Sequence, residues 1–170
     1  VISSFNAMNK IISKEIFIKN KIKTPNFFVI KKKLFNMKKC KKILGNKGIE
    51  FPVVIKPVNE GSSLGVKVCK NETSLNKAAK SLFRKYEQLI FEKYIGGQEI
   101  QVAIIKNKLL GAIELIPKRL FYDYKAKYTK KAKTEHVMPA KLIKKKYNEV
   151  LSIANKAHKV LGCKGVTRSD

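Results

Sequence analysis

The sequence has little histidine, arginine, cysteine or acid, and each shortage excludes something. Only His136 and His158 are present, too few for a histidine-based metal site, and both read as surface residues. The three cysteines, Cys40, Cys69 and Cys163, are odd in number and form no C-x-x-C pair. Neither structural zinc nor a disulfide framework is therefore expected, which fits a reducing cytoplasm. No run of 18 apolar residues occurs, so no transmembrane helix and no membrane partner are expected. Val1-Ile2-Ser3-Ser4 is not a basic region followed by an apolar one, so it does not read as a signal peptide. The first residue is not Met, which suggests a piece of a longer chain.

Positive charge is abundant. Lys and Arg number 38 against 12 acids, for a formal net charge of +26. Only Arg84, Arg119 and Arg168 are arginines. Base readout and bidentate phosphate clamping favour guanidinium forks, which are scarce here. A Lys, Ile and Asn bias also follows from AT-rich codons. The charge therefore reads as a solvated lysine surface rather than a nucleic-acid footprint, although it would favour an anionic nucleotide. At 170 residues and 44% hydrophobic, the chain can bury a real core as one domain or parts of two.

Periodicity predicts a helix over Ser3–Asn20, a strand over Phe27–Ile30 and a helix over Lys38–Leu44 closed by Gly45 and Gly48. Phe51–Ile55 is a continuous apolar run of strand length. A Gly/Ser loop over Asn59–Gly65 leads to a return strand, Val66–Cys69. Thr73 is the expected N-cap of a helix over Thr73–Tyr86. Gln88–Phe91 is a further strand, and Gly96-Gly97 marks a domain break. Glu99–Ile105 and Leu109–Ile116 read as a hairpin around Asn107-Lys108. Lys118–Val137 is a long polar loop, and such loops are uncommon without a function. Ala140–Leu161 reads as a helix closed by Gly162, and Gly165–Asp170 as a strand.

Four segments can carry chemistry. The first is Val53-Val54-Ile55-Lys56-Pro57 followed by Glu60-Gly61-Ser62-Ser63-Leu64-Gly65. A lysine ending an apolar strand needs a partner, and the Gly/Ser loop offers converging N–H and hydroxyl donors. That is a phosphate cradle or a plain surface hairpin; neither a P-loop nor a dinucleotide fingerprint is present. The second is Glu92-Lys93-Tyr94-Ile95, with Glu99 beyond it. It can read a purine edge, or be an ordinary solvated strand end. The third, Phe121-Tyr122-Asp123-Tyr124-Lys125-Ala126-Lys127-Tyr128, interleaves aromatics with lysines. It suits base stacking or a lid over a nucleotide. The fourth is Gly162-Cys163-Lys164-Gly165-Val166-Thr167-Arg168-Ser169-Asp170. Alternation puts Arg168 and Asp170 on one face, as a salt bridge or as an oxyanion stabiliser beside a magnesium ligand.

In this order and spacing the four segments resemble the D-alanine–D-alanine ligases of the ATP-grasp group, over essentially the whole chain. Phe121–Tyr128 and the terminal G-C-x-G-x-x-R-x-D pattern are the most specific parts. The resemblance implies an α/β (α+β) ATP-grasp fold: a mixed-sheet small lobe over 1–98 and an incomplete second lobe over 99–170, with an active-site loop at 118–138. It implies ATP and Mg2+ (or Mn2+) as cofactors and D-alanine as substrate. It further implies a homodimeric parent and a place in peptidoglycan precursor synthesis. Lys10 and Lys56 would contact phosphates under a loop carrying Ser62 and Ser63. Glu92 would take the adenine amino group, the Lys93-Tyr94-Ile95 backbone would line the adenine slot, and Glu99 would hold the ribose. Phe121 and Lys127 would serve the nucleotide from the long loop. Tyr128 with Ser62 would orient the first substrate, Arg168 would stabilise the oxyanion, and Asp170 would bind the metal.

Some features depart from the family pattern. The N-terminal domain and the residues completing the metal site are not in this sequence, so the piece itself is expected to be inactive. Asn9 stands where an Asp commonly precedes the lysine. Relatives that make D-alanyl-D-lactate carry a His in place of the Lys127-Tyr128 pair, so the pair implies an amine nucleophile. Other readings are a different ATP-grasp carboxylate–amine ligase or a basic nucleic-acid-binding module.

Overall fold

A computed structural model describes residues 2–117 and 134–170. The chain forms two compact units, Thr24–Gly96 and Val1–Lys23 with Gly97–Asp170. The second division falls between Gly96 and Gly97. The N-terminal helices, however, cluster with residues 97–170, which differs from the expected division into 1–98 and 99–170. The physical reason is that the second N-terminal helix packs against the long helix near the C-terminus.

The single helix expected over Ser3–Asn20 is two, α1 (Ile2–Met8) and α2 (Lys10–Lys19). Asn9 breaks it. Its backbone is extended, and its side-chain oxygen accepts from the N–H groups of Ile11 at 3.0 Å and Ile12 at 3.2 Å. Those donors would otherwise be orphaned at a helix start.

In Thr24–Gly96 the elements are β1 (Phe27–Lys31), α3 (Met37–Asn46), β2 (Val53–Pro57), β3 (Lys67–Cys69), α4 (Glu72–Leu82) and β4 (Gln88–Lys93). The sheet order is β1-β4-β2-β3, and every pairing is antiparallel, where a mixed sheet was expected. Asn71, not Thr73, caps α4, in a reciprocal box with Ser74. One face of the sheet presents Phe28, Ile30, Val53, Ile55, Leu89 and Phe91 to Cys40 and Leu44 of α3 and to Leu75, Ala79 and Leu82 of α4. The Phe28 and Phe91 rings stack with centroids 5.1 Å apart. This face is the core of the unit, and Val54, Lys56, Ile90 and Glu92 lie on the other face.

In the second unit β5 (Glu99–Ile105), β6 (Lys108–Ile116), β7 (Glu135–Val137) and β8 (Val166–Ser169) form a sheet of order β7-β6-β5-β8. The hairpin turn lies at Lys106-Asn107, one residue earlier than expected. α5 (Lys144–Val160) starts later than expected, with Ile143 exposed just before it. It covers one face of the sheet, where Val102, Ile104 and Ala112 meet Ala154, Val150 and Leu151. The Ala112 N–H donates to Tyr147 Oη at 3.0 Å, beside a bulge at Ala103/Ile104. His136 is exposed as expected, but His158 is only 1% exposed, which corrects its surface assignment. No helix among the described residues is long and apolar enough to cross a membrane.

Cys40 and Cys69 are buried, and burial pushes both thiols up to about 11. Cys163 is half-buried and less raised. In the native protein at pH 8, an aromatic disulfide reagent should titrate Cys163 first. Cys40 and Cys69 should react about 100-fold more slowly or only after denaturation, because they need an opening event. Three equally fast thiols would show that this core is not formed.

Candidate functional site

Strand β2 places its site residue by alternation. Val53 and Ile55 point to the helices, so Val54 and Lys56 point to the other face. The antiparallel register sets Val54 opposite Glu92 and Lys56 opposite Ile90, which puts Glu92 on the same face, diagonal to Lys56. Lys56 Nζ forms an ion pair and hydrogen bond with Glu92 Oε1. The side chains are 18% and 8% exposed, so both charges are largely desolvated. A buried charge needs such a partner.

The Gly/Ser loop follows directly. Ser62 and Ser63 both adopt left-handed backbone, at φ 51° and 61°. Such residues carry roughly 1–2 kcal/mol of local cost each and concentrate at functional turns. The Leu64 N–H donates to Gly61 O at 2.9 Å and the Val66 N–H to Ser63 O at 3.2 Å, which closes two successive turns. Gly65 has φ 73°, and a Cβ there would lie 2.7 Å from Pro57 Cγ, so only glycine fits. Tyr86 anchors the loop's start. Burial and then its hydrogen bond to Glu60 push its phenol above the ordinary tyrosine value. The sequence reading missed Tyr86, and its signal was only an aromatic past the end of α4.

Past Glu92, the N–H groups of Lys93 and Tyr94 are engaged by Asn26 O and Pro52 O, at 2.9 and 3.3 Å. Ile95 follows and is exposed.

The other unit holds the remaining described candidates. Lys10 is the first residue of α2, directly after the Asn9 cap. Asn and Asp cap about equally well, so the departure from the family's Asp leaves this helix start intact. Glu99 opens β5. Arg168 lies opposite Ala103 on β8, with its Nε 3.7 Å from Asp170 Oδ1, and both side chains are more than half exposed. Arg168 also lines an apolar depression of about 190 Å³ with Gln101, Ala103, Gly111, Ile113 and Met138, on the sheet face away from α5. The structure thus brings Lys56 together with Glu92, and Arg168 with Asp170. Phe121, Lys127 and Tyr128 lie outside the described residues.

Asp170 offers one hard oxygen ligand of the kind magnesium prefers. Among the described residues no group of three His, Cys, Asp or Glu side chains could hold a metal. These residues alone do not fit a divalent-ion site.

A family profile described as "D-ala D-ala ligase C-terminus" matches residues 16–170. The chain is 52% identical to a D-alanine–D-alanine ligase of Pelagibacter ubique, over all of this chain and 55% of that protein. It is 40% identical to the Geotalea uraniireducens ligase, over all of this chain and 53% of that protein. The crystal structure of D-alanine–D-alanine ligase from Bacillus anthracis matches with a TM-score of 0.80 at 31% identity, covering 98% of this chain and 53% of that one. The same enzyme complexed with ATP matches at 0.76 and 26% identity, covering 98% and 50%. The chain therefore spans about half the length of the curated relatives it matches, and the ATP-grasp α/β fold expected from the motifs is the one found.

The Lys56–Glu92 pair predicts a specific coupling in stability. Lys56→Met alone leaves a largely buried carboxylate and should lower the unfolding free energy by about 3 kcal/mol. Lys56→Met with Glu92→Leu should cost less than the sum of the singles by at least about 1 kcal/mol. Urea unfolding of the four proteins measures it. Additive losses would mean the two charges do not depend on each other.

Proposed function

The chain belongs to the D-ala D-ala ligase C-terminus family, and on that basis we propose that its protein joins two D-alanines to D-alanyl-D-alanine at the expense of ATP. The observation that carries this reading is the Lys56–Glu92 pair, on the sheet face opposite the helix-packed core and at the root of a glycine-serine loop. A cation and a carboxylate at that place suit the two ends of ATP. Lys56 would turn to the phosphates, joined by Lys10, Lys127 and the Ser62-Ser63 loop. Glu92 would accept from the adenine amino group, with Phe121 against the nucleotide. With the Lys93 and Tyr94 N–H groups already engaged, the adenine ring edge would be read at Ile95. Glu99 would hold the ribose.

The chemistry has two steps. The carboxylate of the first D-alanine attacks the γ-phosphate and becomes an acyl phosphate, releasing ADP. The amine of the second D-alanine then attacks the acyl carbon, loses a proton and expels phosphate. Negative charge grows on oxygen in both steps. Arg168 is assigned to that oxygen, because a fixed guanidinium stabilises charge that develops there. Ser62 and Tyr128 are assigned to orienting the first D-alanine. Magnesium, with Asp170 as one ligand, a homodimeric protein and a cytoplasmic location complete the proposal.

Two experiments on the full-length protein test it. Lys56→Ala should lower kcat/KM for ATP by about 100-fold. Lys32→Ala and Lys145→Ala, which alter exposed charges, should stay within about 2-fold. Equal losses in all three would reject a phosphate site at Lys56 in favour of a diffuse field. With ATP, magnesium, D-alanine and excess D-lactate, mass analysis from pH 6 to 9 should find D-alanyl-D-alanine as the main product. Dominant depsipeptide at neutral pH would show that Lys127-Tyr128 does not select an amine.

A further inference from the structure

His158 is a buried titratable side chain that the ligation chemistry leaves without a task. It lies in the last turn of α5 and is 1% exposed. A histidine removed from water must satisfy both ring nitrogens. Nδ1 lies 2.7 Å from Thr167 Oγ1, and Nε2 lies 3.1 Å from Asn107 Oδ1. An amide oxygen only accepts, so Nε2 carries the proton and Nδ1 accepts from the Thr167 hydroxyl. One ring thus joins a helix end, a strand and a hairpin turn.

Each partner is placed where register is decided. Asn107 ends the two-residue turn between β5 and β6, and both turn residues are left-handed, at φ 46° and 65°. Lys106 in the same turn donates its N–H to Gly165 O at 3.2 Å, just before β8. β8 pairs antiparallel with β5, and a slip of one residue in that pairing would exchange its two faces. Thr167 lies opposite Ile104, on the α5 side; Arg168 lies opposite Ala103, on the open side with the apolar depression. A slip would turn Arg168 into the helix-covered core.

We propose that His158 is a positioning residue that, through Thr167 and Asn107, locks β8 in the register presenting Arg168 and Asp170 on the open face. The inference rests on the reading that Arg168 stabilises the reacting oxygen. His158 touches no reacting atom in this account. It acts by holding the strand, as hydrogen-bonded supports hold catalytic groups to within fractions of an ångström.

The test uses the full-length ligase with ATP, magnesium and D-alanine, reading kcat, both KM values and thermal unfolding. The variants are Thr167→Val, Thr167→Ser, His158→Leu, the double His158→Leu/Thr167→Val, and Arg168→Ala as reference. Thr167→Val keeps shape and loses the hydroxyl, so it tests the lock even if His158→Leu does not fold. The lock predicts a fall in kcat of about 10–100-fold for Thr167→Val, because small misplacements of catalytic groups are costly. KM values should stay within about 2-fold, since the lost interaction belongs to the transition state. Thr167→Ser should recover most of the loss, and the double variant should be no worse than the poorer single. A space-filling role predicts instead that folded Thr167→Val turns over like the parent. If Arg168→Ala loses kcat while Thr167→Val keeps it, the positioning role is overturned and the ligase reading stands. If Arg168→Ala keeps kcat, the assignment of Arg168 falls and the positioning role falls with it.

Discussion

The antiparallel pairing of β2 with β4 sorts two strands into an apolar side against the helices and a second side where Lys56 and Glu92 lie among Val54 and Ile90. Val53, Ile55, Leu89 and Phe91 go to the helices, and Lys56 and Glu92 go to the other face. The ion pair between them makes that sorting hard to undo. Moving β2 by one residue would drive an ammonium into the packed side chains of α3 and α4 and leave a carboxylate uncompensated. The glycine-serine loop departs from the end of β2, so its position follows from the same register. Pro57, immediately after Lys56, is also the residue against which Gly65 closes. The helix-side core, the face that holds the ion pair and the loop geometry are thus consequences of one strand pairing.

Much of this was legible in the sequence, because strong apolar runs and their punctuation are local. The strands around Phe28, Ile55, Phe91 and Val102 came from such runs. The lysine at the end of an apolar run pointed to a partner before any partner was visible. What was not legible depends on competing local choices or on distance. The apolar spacing of Ile11, Ile12 and Ile16 does not say whether Asn9 lies inside a helix or caps one. Asn71 and Thr73 are both good caps, and only the reciprocal bond with Ser74 selects the first. The grouping of residues 1–23 with 97–170 comes from packing between helices far apart in sequence. His158 carries no local sign of burial, since its partner Asn107 is 51 residues away.

The lysine surface is better described by its solvent than by its partners. Lys32–Glu87, Lys41–Glu72 and Lys146–Glu149 are ion pairs between substantially exposed side chains. Such pairs contribute roughly 0–1 kcal/mol each and weaken with salt. Their number says little about stability. The excess positive charge acts through its summed field, which attracts anions in general without specifying how any one of them binds. Specificity has to come from fixed groups, and Lys56, with a defined partner and little solvent, is of that kind.

The ladder between β6 and β7 pairs Glu114 with Val137 and Ile116 with Glu135. The segment from 117 to 134 therefore leaves and re-enters the sheet at adjacent rungs. Its two ends are held together by the main-chain bonds of that ladder. That pairing fixes where both ends of the connection lie, and the entropic cost of joining two such ends grows only about as the logarithm of the length between them. The ladder is thus a fixed frame: the positions of Ile116 and Glu135 are set by the sheet, whatever sequence runs from one to the other.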